Sequence, residues 1–448
     1  MTNRANEPVR TTRRGFLQQS GVITTGIAAG MLLTQTPRVH AAENNTIKMA
    51  VVGSGGRGRG AALQAMNTGP VKLWAVADVF EENARAMVDI ANAEHPDRTD
   101  VGDRIFLGFD AYKKAIDSLD PGSVVLLTTP PVFRPAQLEY AVEKGMHVFM
   151  EKSFAVDTPG VKQLLAAGQK AKEKNLKIYC GLNQRDFFRN EETIKAIQDG
   201  KIGDIVTCWV YRLHNRGISP IHDERLTPLM QQVRRFNNFT WLSGSNMLDW
   251  MVHNIDVSCW AMDEWPVWVQ GQGGRQVDHL RDDMFDHCAY EYRFESGKKM
   301  FVQVRQVLNT WSAFYTVLHG TKGAAILGEG INDPRLYSGY RRNRANVIWT
   351  PTVGWNDSYQ EGQNRFFRAI REDLTLNETE HGAKASLAGI MGRMAVHSGI
   401  EVTGDMAWAS EHRLAPDLDS LTLDGDSPVM PDENGNYALP IPGQTTFF

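Results

Sequence analysis

The chain has 448 residues, 42% of them hydrophobic and 22% charged, with a formal net charge of −4 at pH 7. The composition is that of a globular protein, and the length asks for two domains. The mildly acidic balance excludes nucleic acid as a main partner, and no run approaches the roughly 18 consecutive apolar residues of a membrane span.

Residues 1–41 stand apart. Arg4, Arg10, Arg13 and Arg14 make a basic start, and Gly21 to Leu33 is a short apolar stretch. Val39-His40-Ala41 offers small residues at a cleavage position. Thr12-Arg13-Arg14-Gly15-Phe16-Leu17 resembles a twin-arginine export signal, which implies a periplasmic protein. The segment holds five arginines and one glutamate, so its removal moves the net charge from −4 to −8. Cys180, Cys208, Cys259 and Cys288 fit no metal or redox spacing, and each sits in an apolar context that suits a buried free thiol.

From Ile47 onward, short apolar runs alternate with helical stretches. "IKMAVVG" reads as a buried strand, "RGAALQAM" as a helix, and "VKLWAVAD" as the second strand. "SVVLLTT", "HVFME" and "KIYCGL" continue the series, separated by helices. Such alternation predicts crossover units and a doubly wound parallel sheet, here a dinucleotide-binding domain over residues 46–183.

Gly53-x-Gly55-x-x-Gly58 follows a strand and opens a helix. That is the setting in which backbone N–H groups cradle a pyrophosphate. Asp78 ends the second strand, where a carboxylate receives ribose hydroxyls and repels a 2′-phosphate. NAD is therefore favoured, with NADP kept open by Arg57 and Arg59. Glu151 and Lys152 end another parallel strand, beyond which ligands of such sheets sit. A lysine partly desolvated there can act as acid or base.

After about Asn183 the texture changes. "DIVTCWVYRLH" is a long alternating strand, and "HCAYEYRFESGKKMFVQVRQV" reads as a hairpin turning at Ser296-Gly297. These predict an α+β second domain over residues 184–413 with a large, mostly antiparallel open sheet. Residues 214–240 read as a long loop, and 414–448 as an irregular tail. In "SNMLDWMVHNIDVSCW" the spacing of Asp249, His253 and Asp256 places all three on one face of a single helix. His253 is suited to proton transfer near neutral pH. A buried capping network is the alternative reading of this triad. A zinc site fits poorly, since no second histidine lies at ligand spacing, so no metal is expected.

Strand–GxGxxG–helix, Asp78, "TTP" at 128–130, "GMHVFMEK", Asp249-x-x-x-His253 and "HGTKGAA" at 319–325 together resemble the Gfo/Idh/MocA oxidoreductases. The resemblance spans roughly residues 46–410, and exported members look most similar. It implies a catalytic group of Lys152, Asp249 and His253. It implies cofactor contacts at Gly53, Ser54, Gly55, Gly56, Arg57, Gly58, Asp78, Thr128, Pro130, Glu151, Lys152 and Arg185. It further implies hydride transfer to or from a sugar or polyol, and a homodimer or homotetramer. Tyr211, Arg212, Trp241 and Asn246 are substrate candidates by position. Three departures stand out: Ser153 replaces a proline after the lysine, Arg134 replaces a histidine, and Met251 replaces a glycine. Two other activities share the same residues. One is NAD-dependent glycoside cleavage by oxidation, elimination, addition and reduction; the other is nucleotide sensing without turnover.

Overall fold

The computed structural model describes residues 46–215, 223, 225–277, 281–328 and 333–447. The expected export segment, 1–41, lies outside the described residues.

The first half builds β1 (Ile47–Val52), α1 (Gly56–Asn67), β2 (Val71–Asp78), α2 (Glu81–Glu94), β3 (Ile105–Leu107), α3 (Ala111–Asp117), β4 (Val124–Leu127), α4 (Arg134–Glu143), β5 (His147–Glu151), α5 (Thr158–Glu173) and β6 (Ile178–Gly181). All six strands are parallel, in the order β3-β2-β1-β4-β5-β6. The order reverses between β1 and β4, which opens a crevice beyond their carboxyl ends. β4 and β5 are buried at every position. Helices on both faces explain why these strands read as unbroken apolar runs.

The chain continues through α6 (Phe188–Gln198), β7 (Ile205–His214), α7 (Pro228–Arg234), α8 (Thr240–Ser243), α9 (Asn246–Asp249) and α10 (Val252–Met262). Then come β8 (Pro266–Gly274), β9 (His287–Phe294), β10 (Lys299–Gln306), β11 (Ala313–Gly320), β12 (Gly323–Leu327), β13 (Arg335–Ser338) and β14 (Val347–Trp349). The last elements are α11 (Ser358–Arg371), α12 (Thr379–Ser398), β15 (Val402–Thr403) and α13 (Gly404–Ala409). Nine of these strands form a second sheet, ordered β14-β13-β12-β11-β7-β10-β9-β8-β15. It is antiparallel except for β10 against β7. The expected hairpin is β9–β10, with Gly297 at φ +85° in its turn.

Two sequence expectations are corrected. Residues 214–240 are not loop throughout: Pro228–Arg234 is helical, with Pro228 in its first turn and Thr227 Oγ1 accepting from the Met230 N–H at 3.3 Å. The helix expected to carry Asp249, His253 and Asp256 is two helices, α9 and α10, with a turn at Trp250–Met251. α11 follows the second sheet in sequence yet packs Phe366 and Phe367 into the apolar layer beside β1, β2 and β4. All four cysteines are buried and free. No described helix is long and apolar enough to cross a membrane.

Candidate active site

The glycine loop joins β1 to α1. Gly53 has φ +88°, and a Cβ there would lie 2.8 Å from the Thr129 nitrogen. A Cβ on Gly58 would lie 2.0 Å from the Gly53 carbonyl oxygen. Both positions therefore require glycine, one for the turn and one for close packing of helix on loop. Gly55 and Gly56 differ: a Cβ on either meets nothing within 4 Å. These two face the crevice, which keeps space for a ligand to approach the backbone at the amino end of α1. Thr128 steadies the loop through its hydroxyl, which donates to the Val52 carbonyl at 3.0 Å.

Asp78 closes the other side. Its Oδ2 accepts from the Ser54 N–H at 2.6 Å and the Ser54 hydroxyl at 2.8 Å, and its Oδ1 accepts from the Phe80 N–H at 2.9 Å. It thus holds the loop and also lines a cleft of about 360 Å³ together with Gly55, Gly56, Thr128 and Pro130. Phe109, Tyr112, Arg234 and Phe236 also line this cleft, and none is a candidate from sequence. They arrive from β3–α3 and from the second domain, so no local pattern points to them. Arg57 pairs with buried Glu151 at 2.8 Å and lies over the Tyr359 ring, 4.6 Å from its centroid. Arg59 donates to the Ser54 carbonyl at 3.0 Å.

Lys152 leaves the end of β5 toward the second domain. Its Nζ lies 2.8 Å from Asp249 Oδ1 and also donates to the Asp249 carbonyl. That carbonyl is the one a continuous helix would offer to the His253 N–H, which accounts for the break between α9 and α10. The Lys152–Ser153 peptide bond is cis. Arg134, fully buried, donates to the Ser153 and Thr129 carbonyls and so braces the segments around the lysine. Burial lowers its guanidinium to about 10.

His253 sits in the first turn of α10 and is 6% exposed. Burial first, then the cations Lys152 and Arg212, hold its imidazole well below the usual 6.5, so it is neutral near neutral pH. Its Nδ1 has no hydrogen-bond partner among the described residues. A buried, uncharged imidazole with an open nitrogen beside an ammonium suits proton transfer to or from a bound hydroxyl.

Asp256 does not join this group. It faces Arg185, with contacts of 2.9 and 3.0 Å, and His381, at 2.5 Å. Burial works against its charge, but Arg185 and His381 more than offset this and keep it below the ordinary carboxylate range. Arg185, expected at the cofactor, is instead turned to Asp256 and ties the segment after β6 to α10. Glu378 lies behind this pair, and burial raises it to about 7.

The four substrate candidates separate. Arg212 faces α10 from β7, on the side of Cys208 and Val210, and stacks on Phe314 at 3.5 Å. Tyr211, its neighbour, points to the opposite face and packs on Tyr315 and Trp311. Successive strand residues alternate sides, so the two cannot serve one site. Trp241 is core: it is 1% exposed and donates to Gln232 Oε1 at 2.7 Å. Asn246 is buried and donates to the Phe285 carbonyl at 2.9 Å. Of the four, only Arg212 is placed beside His253. Among the described residues no cluster of three or more potential metal ligands occurs.

A glycine loop at a topological switch point, with a lysine, an aspartate and a histidine converging where two domains meet, defines a two-domain dinucleotide-binding architecture. Residues 191–326 match the model of the GFO/IDH/MocA C-terminal domain, which supports that family for the chain. An inositol 2-dehydrogenase of Rhizobium meliloti (strain 1021) is 24% identical over 362 residues, covering 77% of this chain and 94% of the relative. A glycosyl hydrolase family 109 protein of Shewanella sp. (strain W3-18-1) is 21% identical over 212 residues, 43% of this chain and 44% of the relative. The scyllo-inositol dehydrogenase of Lactobacillus casei, solved with NAD(H) and scyllo-inositol, shares the fold with a TM-score of 0.59 and 22% identity, over 80% of this chain and 99% of that one.

Proposed function

We propose that this chain is an NAD-dependent oxidoreductase of the Gfo/Idh/MocA type that oxidises or reduces a CH–OH carbon of a sugar or polyol. The observation that carries the reading is the contact of Lys152 with Asp249 beside neutral His253, beyond the carboxyl ends of the parallel strands. The residues fit a dinucleotide: Gly55 and Gly56 leave open space at the amino end of α1, and Asp78 lines the adjoining cleft. When bound, the nicotinamide would supply the hydride acceptor or donor.

The chain's own residues do the rest. The α1 amino terminus and the loop N–H groups hold the phosphates. Asp78 receives the ribose hydroxyls and disfavours a 2′-phosphate. His253 takes the hydroxyl proton, Lys152 polarises the same oxygen, and Asp249 fixes the ammonium. Such proton transfer contributes roughly 10²–10⁴-fold. Arg212 adds a second cation near the imidazole and suits a hydroxyl-rich substrate.

Export by the twin-arginine route belongs to this proposal. It rests on Arg13-Arg14 and the apolar run after them. A protein folded and loaded before export would find no dinucleotide pool outside, so each cycle must restore its cofactor. It would then oxidise one sugar and reduce another, or run the redox-neutral cleavage of a glycoside. The similarity to a family 109 hydrolase favours keeping this second reading. Mixing the protein with polyols, aldoses and aryl glycosides separates the two. Paired oxidised and reduced sugar products mark the oxidoreductase, and aglycone release without such a pair marks the hydrolase.

The outer face of the second sheet supports a homodimer or homotetramer. Trp209 stacks on Phe301 at 4.5 Å, Tyr211 packs on Tyr315 at 5.2 Å, and Trp311 is 61% exposed. A contiguous aromatic face of this kind marks an interaction surface.

A further inference from the structure

We infer that α7 and the C-terminal tail form a roof over the adenosine end of the cleft, and that bound dinucleotide leaves only when this roof opens. The inference rests on the functional reading above and deepens it by naming what controls cofactor exchange.

The roof begins with Arg234, the last residue of α7. It belongs to the second domain by sequence, yet it lines the first domain's cleft opposite the glycine loop. Its guanidinium lies 4.0 Å from the centre of the Phe80 ring and forms an ion pair with Glu82. Both partners lie at the passage from β2 into α2, within four residues of Asp78, where the ribose is expected. Phe236, just beyond α7, lines the same cleft. A ligand seated in the cleft that the glycine loop and Asp78 line therefore also meets second-domain residues.

The tail fixes α7 in that position. Gln232, one helix position from the cleft-lining Val233, is wholly buried. Its Nε2 donates to the Val429 carbonyl at 2.7 Å and to the Tyr437 hydroxyl at 3.2 Å. Its Oε1 accepts from Trp241 Nε1 and from the Ser427 hydroxyl. All four bonding positions of one buried amide are thus spent joining the roof helix to the tail and to α8. The tail also touches the roof at Thr227, whose hydroxyl donates to the Leu423 carbonyl at 3.4 Å. Upstream, Leu418 and Leu421 lie beside Phe109 and Tyr112, two cleft residues of the first domain. The far end is held by Phe447, 5% exposed, whose carbonyl accepts from the Ser410 hydroxyl. Among its described residues the tail contains no strand and one short helical turn, at Leu418–Ser420. It is ordered by these contacts, not by a backbone ladder of its own.

A roof pinned at both ends slows ligand exit more than it strengthens the complex, because entry must cross the same barrier. The test is to load the full chain with NADH, chase it with excess NAD, and follow nicotinamide fluorescence. Wild-type release is expected to be slow. Arg234→Ala and Leu421→Asp are each expected to speed release by at least about tenfold, with a smaller change in equilibrium affinity. Leu421→Asp alters the tail and does not itself line the cleft, so it decides the matter if Arg234→Ala does not fold. Release from the variants at the wild-type rate overturns the roof and leaves dinucleotide binding intact. Failure of the wild-type chain to bind either form overturns the functional reading, and the roof with it.

Discussion

Lys152 Nζ lies 2.8 Å from Asp249 Oδ1, and this contact ties the end of β5 in the first sheet to α9 of the second domain. The carboxylate side chain is 4% exposed and the ammonium 23%, so the pair is shielded on one side and open on the other. The chemistry proposed here takes place on the open side. Removing the amine should therefore damage turnover far more than fold or cofactor. Lys152→Ala is expected to lower turnover by roughly 10²–10⁴-fold while dinucleotide affinity stays within a few-fold. Steady-state rates and a binding titration on the same preparation check it.

His253 governs the acid limb of the rate. Its imidazole is held below 6.5 by burial and by two nearby cations, so the neutral form persists to lower pH than in an ordinary histidine. Activity that needs the neutral base is present above the folded pKa and fades as pH falls through it. The acid limb should then lie below 6.5, and Lys152→Met should move it upward by removing one of the cations. A limb near 6.5 in wild type would mean that the buried imidazole is not the base.

The glycine loop allows fold and ligand to be separated. A Cβ at Gly55 meets no protein atom within 4 Å, whereas one at Gly58 meets the Gly53 carbonyl oxygen at 2.0 Å. Gly55→Val should fold like wild type and lose dinucleotide binding. Gly58→Ala should lose both stability and binding. Thermal melts with and without NAD distinguish them: added NAD should raise the melting temperature of wild type but not of Gly55→Val.

Stability should carry a signature from His397, which is 1% exposed and lowered to about 3 by burial, with a lesser effect of Arg393. Between pH 6.5 and about 3 the unfolded chain binds a proton that the folded site refuses. The histidine's contribution is thus complete above 6.5 and is lost as pH falls through that window. Urea midpoints at pH 7 and pH 5 should differ less in His397→Gln than in wild type.

Assembly should depend on the aromatic face. Trp209→Glu placed against Phe301 should shift the chain toward monomer in size-exclusion chromatography with light scattering. Unchanged mass would place the interface elsewhere.

Much of this architecture was legible in local patterns. β1, β2, β4 and β5 announced themselves as apolar runs closed by Gly53, Asp78, Thr128 and Glu151, because a strand buried on both faces leaves no polar alternation. The glycine loop was legible because its constraints are local: one positive φ and one close approach. Lys152 and Asp249 were found as residue types, but their contact spans 97 positions and no spacing rule reaches across it. Helical periodicity suggested one helix through Asp249 and Asp256, because the competing bond comes from a distant lysine. Tyr211 and Arg212 show the limit of strand reading. Both were named, yet a strand can aim only one of two neighbours at the helices, and a shift of one residue exchanges them. The tail is legible as irregular, but its hold on α7 and the place of Arg234 at the cleft are not, because both come from docking of segments distant in sequence.

In the proposed reaction the amine at 152 and the imidazole at 253 act on a substrate hydroxyl beside a bound nicotinamide. The most direct measurement is a single turnover of NAD-loaded protein with a responsive polyol or sugar, followed by nicotinamide absorbance, in wild type and Lys152→Met. A reduced-nicotinamide burst is expected in wild type, with a rate at least about 10²-fold lower in the variant at equal cofactor occupancy. Equal burst rates in the two proteins would contradict it.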